Sequence, residues 1–300
     1  MPLPNNMRIG TAGWSYKDWA GKVYPAQRPR GFHEAAYLAR YFDTVEINTS
    51  FYRAVRPEHA RLWALQVAFN QRFLFTAKLH RSFTHEQNPG DKDERGFRAM
   101  ADVLAESGRL GAVLAQFPWS FKHTPENRAY VQTLLERFRG YPVVIEMRHG
   151  DWLSPPFLEL LKEQGAAFCN IDQPTLSHGL PPTAVVTAPL AYFRLHGRNY
   201  NSWFKGGESE NRNERYNYLY TAAELEPLRK KIGQAAGQAQ NTYVVANNHF
   251  EGKAAANALQ LMSMFLDKRV EAPPPLRQAY PELEPFVFSE APAQQGLFTA

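Results

Sequence analysis

The sequence predicts an α/β fold, a (β/α)8 barrel of the TIM type built as a single domain with an extended C-terminal tail, and three observations carry that expectation. Short apolar, β-branched runs recur eight times along the 300 residues. Amphipathic segments separate most of them, the pattern that joins parallel strands through crossover helices. In several runs one face turns polar just where the strand should end, and in such a barrel those ends lie together.

Taken in order, the apolar runs place strands over 8–12, 44–48, 73–79, 111–116, 143–147, 167–172, 191–196 and 243–247. Helical periodicity fills 32–41, 57–69, 93–106, 125–138, 155–163, 222–236 and 253–266. Pro57, Pro125 and Pro155 suit first turns, where the missing amide hydrogen is not needed. Thr221 followed by Glu224 is a capping box. Two connections break the alternation: 173–189 is proline-rich without helical period, and 198–220 is polar and full of aromatic residues. Both follow a strand's C-terminal end, where long irregular connections form the mouth of a barrel. The expected barrel spans 1–270; in the extension over 271–300, Pro273, Pro274 and Pro275 should end the preceding helix, 280–288 reads as extended, and the last dozen residues read as mobile.

A content of 44% hydrophobic and 21% charged residues supports a buried core. The net charge of +5 favours anionic partners without requiring nucleic acid. One cysteine, Cys169, excludes an intrachain disulfide or a thiolate cluster and points to a reducing compartment, the cytoplasm. No run is apolar and long enough for a bilayer, and no membrane partner is expected.

Residues two apart on a strand share a face. Strand two thus offers Glu46, Asn48 and Ser50, strand three Lys78 and His80, strand four Gln116, and strand five Glu146 and Arg148. Strand six adds Asn170 and Asp172, strand seven Arg194 and His196, strand eight Asn247 with His249 just beyond. Barrel interiors are normally filled with branched aliphatic side chains, so these groups must pair with one another or meet a ligand. Three readings stay open. In the first, Lys78, Arg148 and Arg194 clamp a phosphate or carboxylate while Glu46, Glu146 or Asp172 acts as base, with Asn48, His80, Gln116 and Asn247 as further substrate contacts. In the second, Glu46, Glu146, Asp172 and His196 hold a divalent metal that activates water, although no compact metal motif is present and no cofactor is required by the sequence. In the third, Glu46 and Glu146 are the carboxyl pair of a glycosidase.

Aromatic residues crowd the same strand ends: Trp14, Tyr16, Trp19, Phe51, Tyr52, Trp119, Phe121, Trp152, Tyr200, Trp203 and Phe204. Trp14, Tyr52 and Trp152 are the candidates for stacking on a substrate ring. Arginine together with aromatic faces points to a hydrolase or lyase acting on a phosphate-bearing or nucleic-acid-derived substrate. A carbohydrate-active enzyme and a non-catalytic DNA- or protein-binding module are the alternatives.

The same residues carry a family resemblance. Gly10-Thr11-Ala12-Gly13-Trp14-Ser15-Tyr16, Val45-Glu46-Ile47-Asn48-Thr49-Ser50-Phe51-Tyr52, Phe75-Thr76-Ala77-Lys78, Ala115-Gln116-Phe117-Pro118, Glu146-Met147-Arg148 with Trp152, Tyr192-Phe193-Arg194-Leu195-His196-Gly197 and Asn247-Asn248-His249 resemble the YecE-like family, domain of unknown function 72. The resemblance covers about residues 7 to 266 and implies a TIM-type barrel but no settled activity.

In the tail, Gln294, Leu297 and Phe298 form a Gln-x-x-Leu-Phe pattern similar to peptides that dock on the bacterial DNA sliding clamp, two apolar anchors behind one amide. A labelled peptide spanning residues 291–300 should bind clamp and lose at least about tenfold in affinity when Leu297 and Phe298 both become Ala. Equal, weak binding by the two peptides would remove the clamp as a partner.

Overall fold

The computed structural model describes residues 3–174, 178–200 and 214–289. Eight parallel strands close into one barrel in sequence order: β1 (Met7–Ala12), β2 (Thr44–Ile47), β3 (Leu74–Lys78), β4 (Leu110–Gln116), β5 (Val143–Glu146), β6 (Ala167–Asp172), β7 (Leu190–Leu195) and β8 (Asn241–Ala246). The outer ring consists of α1 (Glu34–Leu38), α2 (Pro57–Gln66), α3 (Asp91–Glu106), α4 (Pro125–Arg137), α5 (Pro155–Glu163), α6 (Ala222–Ala236) and α7 (Lys253–Leu266). Thr124 caps α4 by accepting from the Asn127 amide, and the Thr221–Glu224 capping box opens α6 as its spacing predicts. The first two helices are shorter than their periodicity suggests, because their last residues tighten into turns such as Tyr41 N–H to Leu38 O at 2.9 Å.

The ladder register decides which side chains face the axis, since residues opposed in a parallel pair share a face. Glu46 lies beside Thr76, Gln116 beside Glu146, and Arg194 beside Ile171, so these point inward. Lower in the barrel Tyr192 and Tyr243 stack at 6.0 Å. Gly111 makes room for this: a Cβ there would sit 2.6 Å from the Tyr243 hydroxyl. The interior is a packed core up to the charged layer at its C-terminal end.

Strand β6 departs from the expected facing. Its inward residues are Cys169 and Ile171, whereas Asn170 and Asp172 point away from the axis, Asp172 lying beside the outward Leu195. The cause lies between β6 and β7, where the described residues form no helix. Residues 183–187 run along the outside of β6 as irregular chain, and irregular backbone against a sheet must find hydrogen bonds. Asn170 Oδ1 accepts from Val185 N–H at 2.8 Å and from the Thr183 hydroxyl at 2.6 Å, while its Nδ2 donates to Val185 O. Thr187 Oγ1 accepts from Phe168 N–H and donates to Ala166 O.

Beyond α7 the chain packs back on the barrel, but not as the extended segment expected over 280–288. Pro273 precedes a short helix, α8 (Pro274–Ala279), instead of only ending the previous one, because prolines suit a first turn. A 3-10 turn (Pro281–Leu283) follows, and only Val287–Phe288 is extended, paired in parallel with Val270–Glu271. Leu276, Leu283 and Val287 are buried and Tyr280 Oη donates to Glu251 O, which ties this segment to the start of α7. No helix among the described residues is long and apolar enough to cross a membrane.

Replacing Asn170 with Leu should cost about 2 kcal/mol of unfolding free energy, because the Val185 amide and carbonyl lose their partners. Urea unfolding measures the loss, and hydrogen exchange should speed up at Val185 while Val244 in β8 stays protected.

Candidate functional site

The charged layer is centred on Arg194, which reaches across the axis from β7 and is 2% exposed. Its Nη2 donates to Glu46 Oε1 and its Nη1 to Glu146 Oε2, each at 2.7 Å. Both carboxylates are fully buried. Tyr192 Oη donates to the second oxygen of Glu46 at 3.0 Å, which leaves Thr76 as the donor to Tyr192. Arg148 Nε lies 2.7 Å from Glu146 Oε1, and His196 Nε2 is 3.3 Å from the same oxygen. Burial would raise the Glu146 pKa, but Arg148, Arg194 and His196 outweigh it and hold the carboxyl well below its ordinary range.

His196 is neutral. Burial lowers its pKa well below the usual imidazole value, Arg148 lowers it further, and Glu146 only partly opposes them. The Asn247 amide, 2.8 Å away, donates to Nδ1, which puts the ring proton on Nε2 facing Glu146.

Above this layer opens a cavity of about 330 Å³ whose wall includes Lys78, Arg148, Arg194, Arg215, Gln116, Asn48, Asn247 and His249. An adjoining cavity of about 490 Å³ shares Phe51, Tyr52, Lys78, Arg148 and Arg215 with it and extends to Arg81, His85 and Trp119. Among the described residues lining either one there is no Asp or Glu. Lys78 Nζ sits 4.0 Å from the centre of the Phe51 ring, and burial, with Arg194 and Arg148 adding to it against Glu46 and Glu146, lowers its pKa to about 7. His249 stacks on Tyr16 at 4.4 Å, and burial lowers its pKa to about 4. Its Nδ1 and the Arg194 Nε are buried polar atoms with no hydrogen-bond partner among the described residues. A third cavity, about 710 Å³, adjoins through Tyr16 and Asn48 and is lined by Trp14, Trp63, His59, Arg53 and Arg56.

Of the residues singled out from sequence, Glu46, Glu146, Arg148, Arg194, His196 and Asn247 meet in the charged layer, while Asn48, Lys78, Gln116 and Tyr52 line the cavities above it. Trp14 lines the third cavity. Asn170, on the outer face of β6, lies elsewhere, and so do three more. Asp172, on the outer face of β6, accepts both Arg198 Nη2 at 2.7 Å and Tyr220 Oη at 2.5 Å. His80 caps the helical turn Arg81–Thr84 by accepting from Ser82 N–H. Trp152 is fully buried, stacked on Phe121 and donating to its carbonyl at 2.8 Å. Glu46, Glu146, Asp172 and His196 therefore do not converge on one point, and among the described residues no group of three or more His, Cys, Asp and Glu side chains could hold a metal ion. Trp203, Phe204 and the tail residues Gln294, Leu297 and Phe298 lie outside the described residues.

Sequence reasoning missed Arg215, Tyr216 and His85 in the mouth, and His59 and Trp63 beside it. Arg215 and Tyr216 belong to the connection over 198–220, which has no strand period to give a facing direction. His59 and Trp63 are four apart on α2, a spacing that puts both on one face and could have found them.

The chain matches the family described as "Protein of unknown function DUF72" over residues 8–280. It is 30% identical over 269 residues to the UPF0759 protein YunF of Bacillus subtilis, covering 85% of this chain and 93% of that protein. A crystal structure of a DUF72 family protein from Thermotoga maritima superposes with a TM-score of 0.73 at 33% identity, over 87% of this chain and 99% of that one. One from Enterococcus faecalis gives 0.75 at 27% identity, over 88% and 96%.

Arg194→Met should destabilise the protein by about 3–5 kcal/mol, since it leaves two buried carboxylates uncompensated. Adding Glu46→Gln and Glu146→Gln to it should recover part of that loss in urea unfolding. The folded-state pKa of Glu146 is depressed, so its contribution is complete above the unfolded carboxyl value, about 4.3, and fades as pH falls below it. Glu146→Gln should therefore unfold less steeply in acid than wild type.

Proposed function

The chain belongs to the DUF72 family, whose description names no activity, and from that premise we propose that its barrel mouth binds a phosphate- or carboxylate-bearing small molecule or nucleic-acid fragment and acts on it as a hydrolase or lyase. The observation that carries this reading is the sign of the cavity wall: Lys78, Arg148, Arg194 and Arg215 line it, and among the described residues no carboxylate does. An anion entering there meets several donors at once in a partly desolvated space, where charge-assisted bonds are strongest. Glu46 and Glu146 lie beneath, already joined to Arg194, so their part is to fix the guanidinium.

This moves the proton-handling role away from the glutamates. A glycosidase needs one carboxyl protonated and the other open to the sugar, whereas Glu146 is held ionised and Glu46 accepts protein donors on both oxygens. Lys78, with a pKa of about 7, is suited to give and take a proton near neutrality. The free thiol of Cys169, buried beside Glu146, is consistent with action in a reducing compartment such as the cytoplasm.

Sulfate is a useful probe because its own charge is constant near neutral pH. In calorimetric titration it should bind, and Arg148→Met should weaken it about tenfold. Lys78 holds an anion only while protonated, so affinity should fall as pH rises through about 7, and Lys78→Arg should flatten that dependence. Sulfate affinity unaffected by pH and by Arg148→Met would overturn the reading.

A further inference from the structure

We infer that Lys78 is a nucleophilic amine, the covalent site at which an aldehyde or ketone flanked by a phosphate or carboxylate is held as an imine. The inference rests on the anion-binding reading above and adds a substrate class and a bond to it. Lys78 is the last residue of β3, points into the barrel mouth and lines both cavities there. Its ammonium enters no ion pair with a described carboxylate. Lys22, Lys162, Lys230 and Lys253, by contrast, each lie within 4.0 Å of a glutamate.

The groups around Lys78 point the same way. Arg194 and Arg148 face it from β7 and the end of β5, His85 from the turn after β3, and Phe51 from the turn after β2. Glu46 and Glu146 also act on it, but Arg194 bridges the two and Arg148 lies against the other oxygen of Glu146. Burial and the two guanidinium groups thus disfavour the ammonium and leave a usable lone pair near neutral pH, a pKa of about 7. Arg148, Arg194 and Arg215 already supply fixed positive charge for an anion. What a lysine adds among three arginines is an amine that can be uncharged, which a guanidinium cannot match.

The chemistry needs no further reagent. The neutral Nζ attacks the carbonyl carbon to form a C–N bond, and one N–H proton passes to the carbonyl oxygen. Loss of that oxygen as water, carrying the second N–H hydrogen, leaves the C=N bond. The arginines hold the neighbouring anion so that the carbonyl is presented to Nζ. An imine withdraws electrons from the adjacent carbon, which is how a lyase activates the bond beside it.

The test is reductive trapping of the full chain with sodium cyanoborohydride, read by intact mass and peptide mapping. One arm uses 2-deoxyribose 5-phosphate and the other a single-stranded oligonucleotide bearing an abasic aldehyde, which separates a small sugar phosphate from a nucleic-acid source. The expected result is one adduct on the peptide containing Lys78 in at least one arm, forming faster as pH rises through about 7, opposite in direction to sulfate affinity. Lys78→Arg should lower its yield by at least about tenfold while its far-ultraviolet circular dichroism spectrum matches wild type, which shows the variant is folded. Sulfate binding without an adduct at Lys78, or adducts spread equally over surface lysines, overturns the imine and leaves the anion site standing. Absence of both sulfate binding and adduct overturns the two together.

Discussion

Burying two carboxylates at the top of a barrel core is unfavourable unless a cation is buried with them, and Arg194 is that cation. One planar guanidinium serves Glu46 on β2 and Glu146 on β5 at the same time, each at 2.7 Å, so strands on different sides of the barrel are joined across its axis. The arrangement is also the floor of the mouth. Tyr192 and Thr76 anchor it from below, and Arg148, His196 and Asn247 extend it upward.

With both carboxylates neutralised at the floor, the wall above carries an excess of positive charge. That excess has two consequences for Lys78. It makes the cavity attractive to an anion, and it makes a further ammonium there less favourable. The proposed anion binding and the proposed amine chemistry would therefore be two outcomes of one electrostatic field, responding to pH in opposite directions. His85 and His249, whose burial lowers them to about 4, are neutral through the same range and do not blur the contrast.

The irregular connection between β6 and β7 has a structural part to play as well. Where a helix would cover β6, bare chain does, and the strand supplies Asn170 as a hydrogen-bonding partner for it. Polar alternation on β6 thus has the same sequence appearance as on β2, β5 and β7 but an opposite direction. Asp172, one such residue, steadies Arg198 and Tyr220 at the mouth's outer rim instead of joining the charged layer.

The family motifs and the two repeating periods, strand and helix, were enough to give the eight strands and, among the described residues, the seven covering helices and the helix-free stretch after β6, because burial imposes those periods on the residues themselves. Glu46, Lys78, Gln116, Glu146, Arg194 and Asn247 were legible as inward polar residues for the same reason. Alternation, however, says that two residues share a face and not which face it is, so Asn170 and Asp172 were resolved only by the ladder register and by what packs outside. Pairing was likewise beyond the sequence: that Arg194 holds both glutamates, leaving Lys78 without a carboxylate among the described residues of the mouth, depends on distances across a closed barrel between residues as far apart as 46 and 194. Local pattern fixes what each strand presents, and only closure of the barrel decides which presented groups meet.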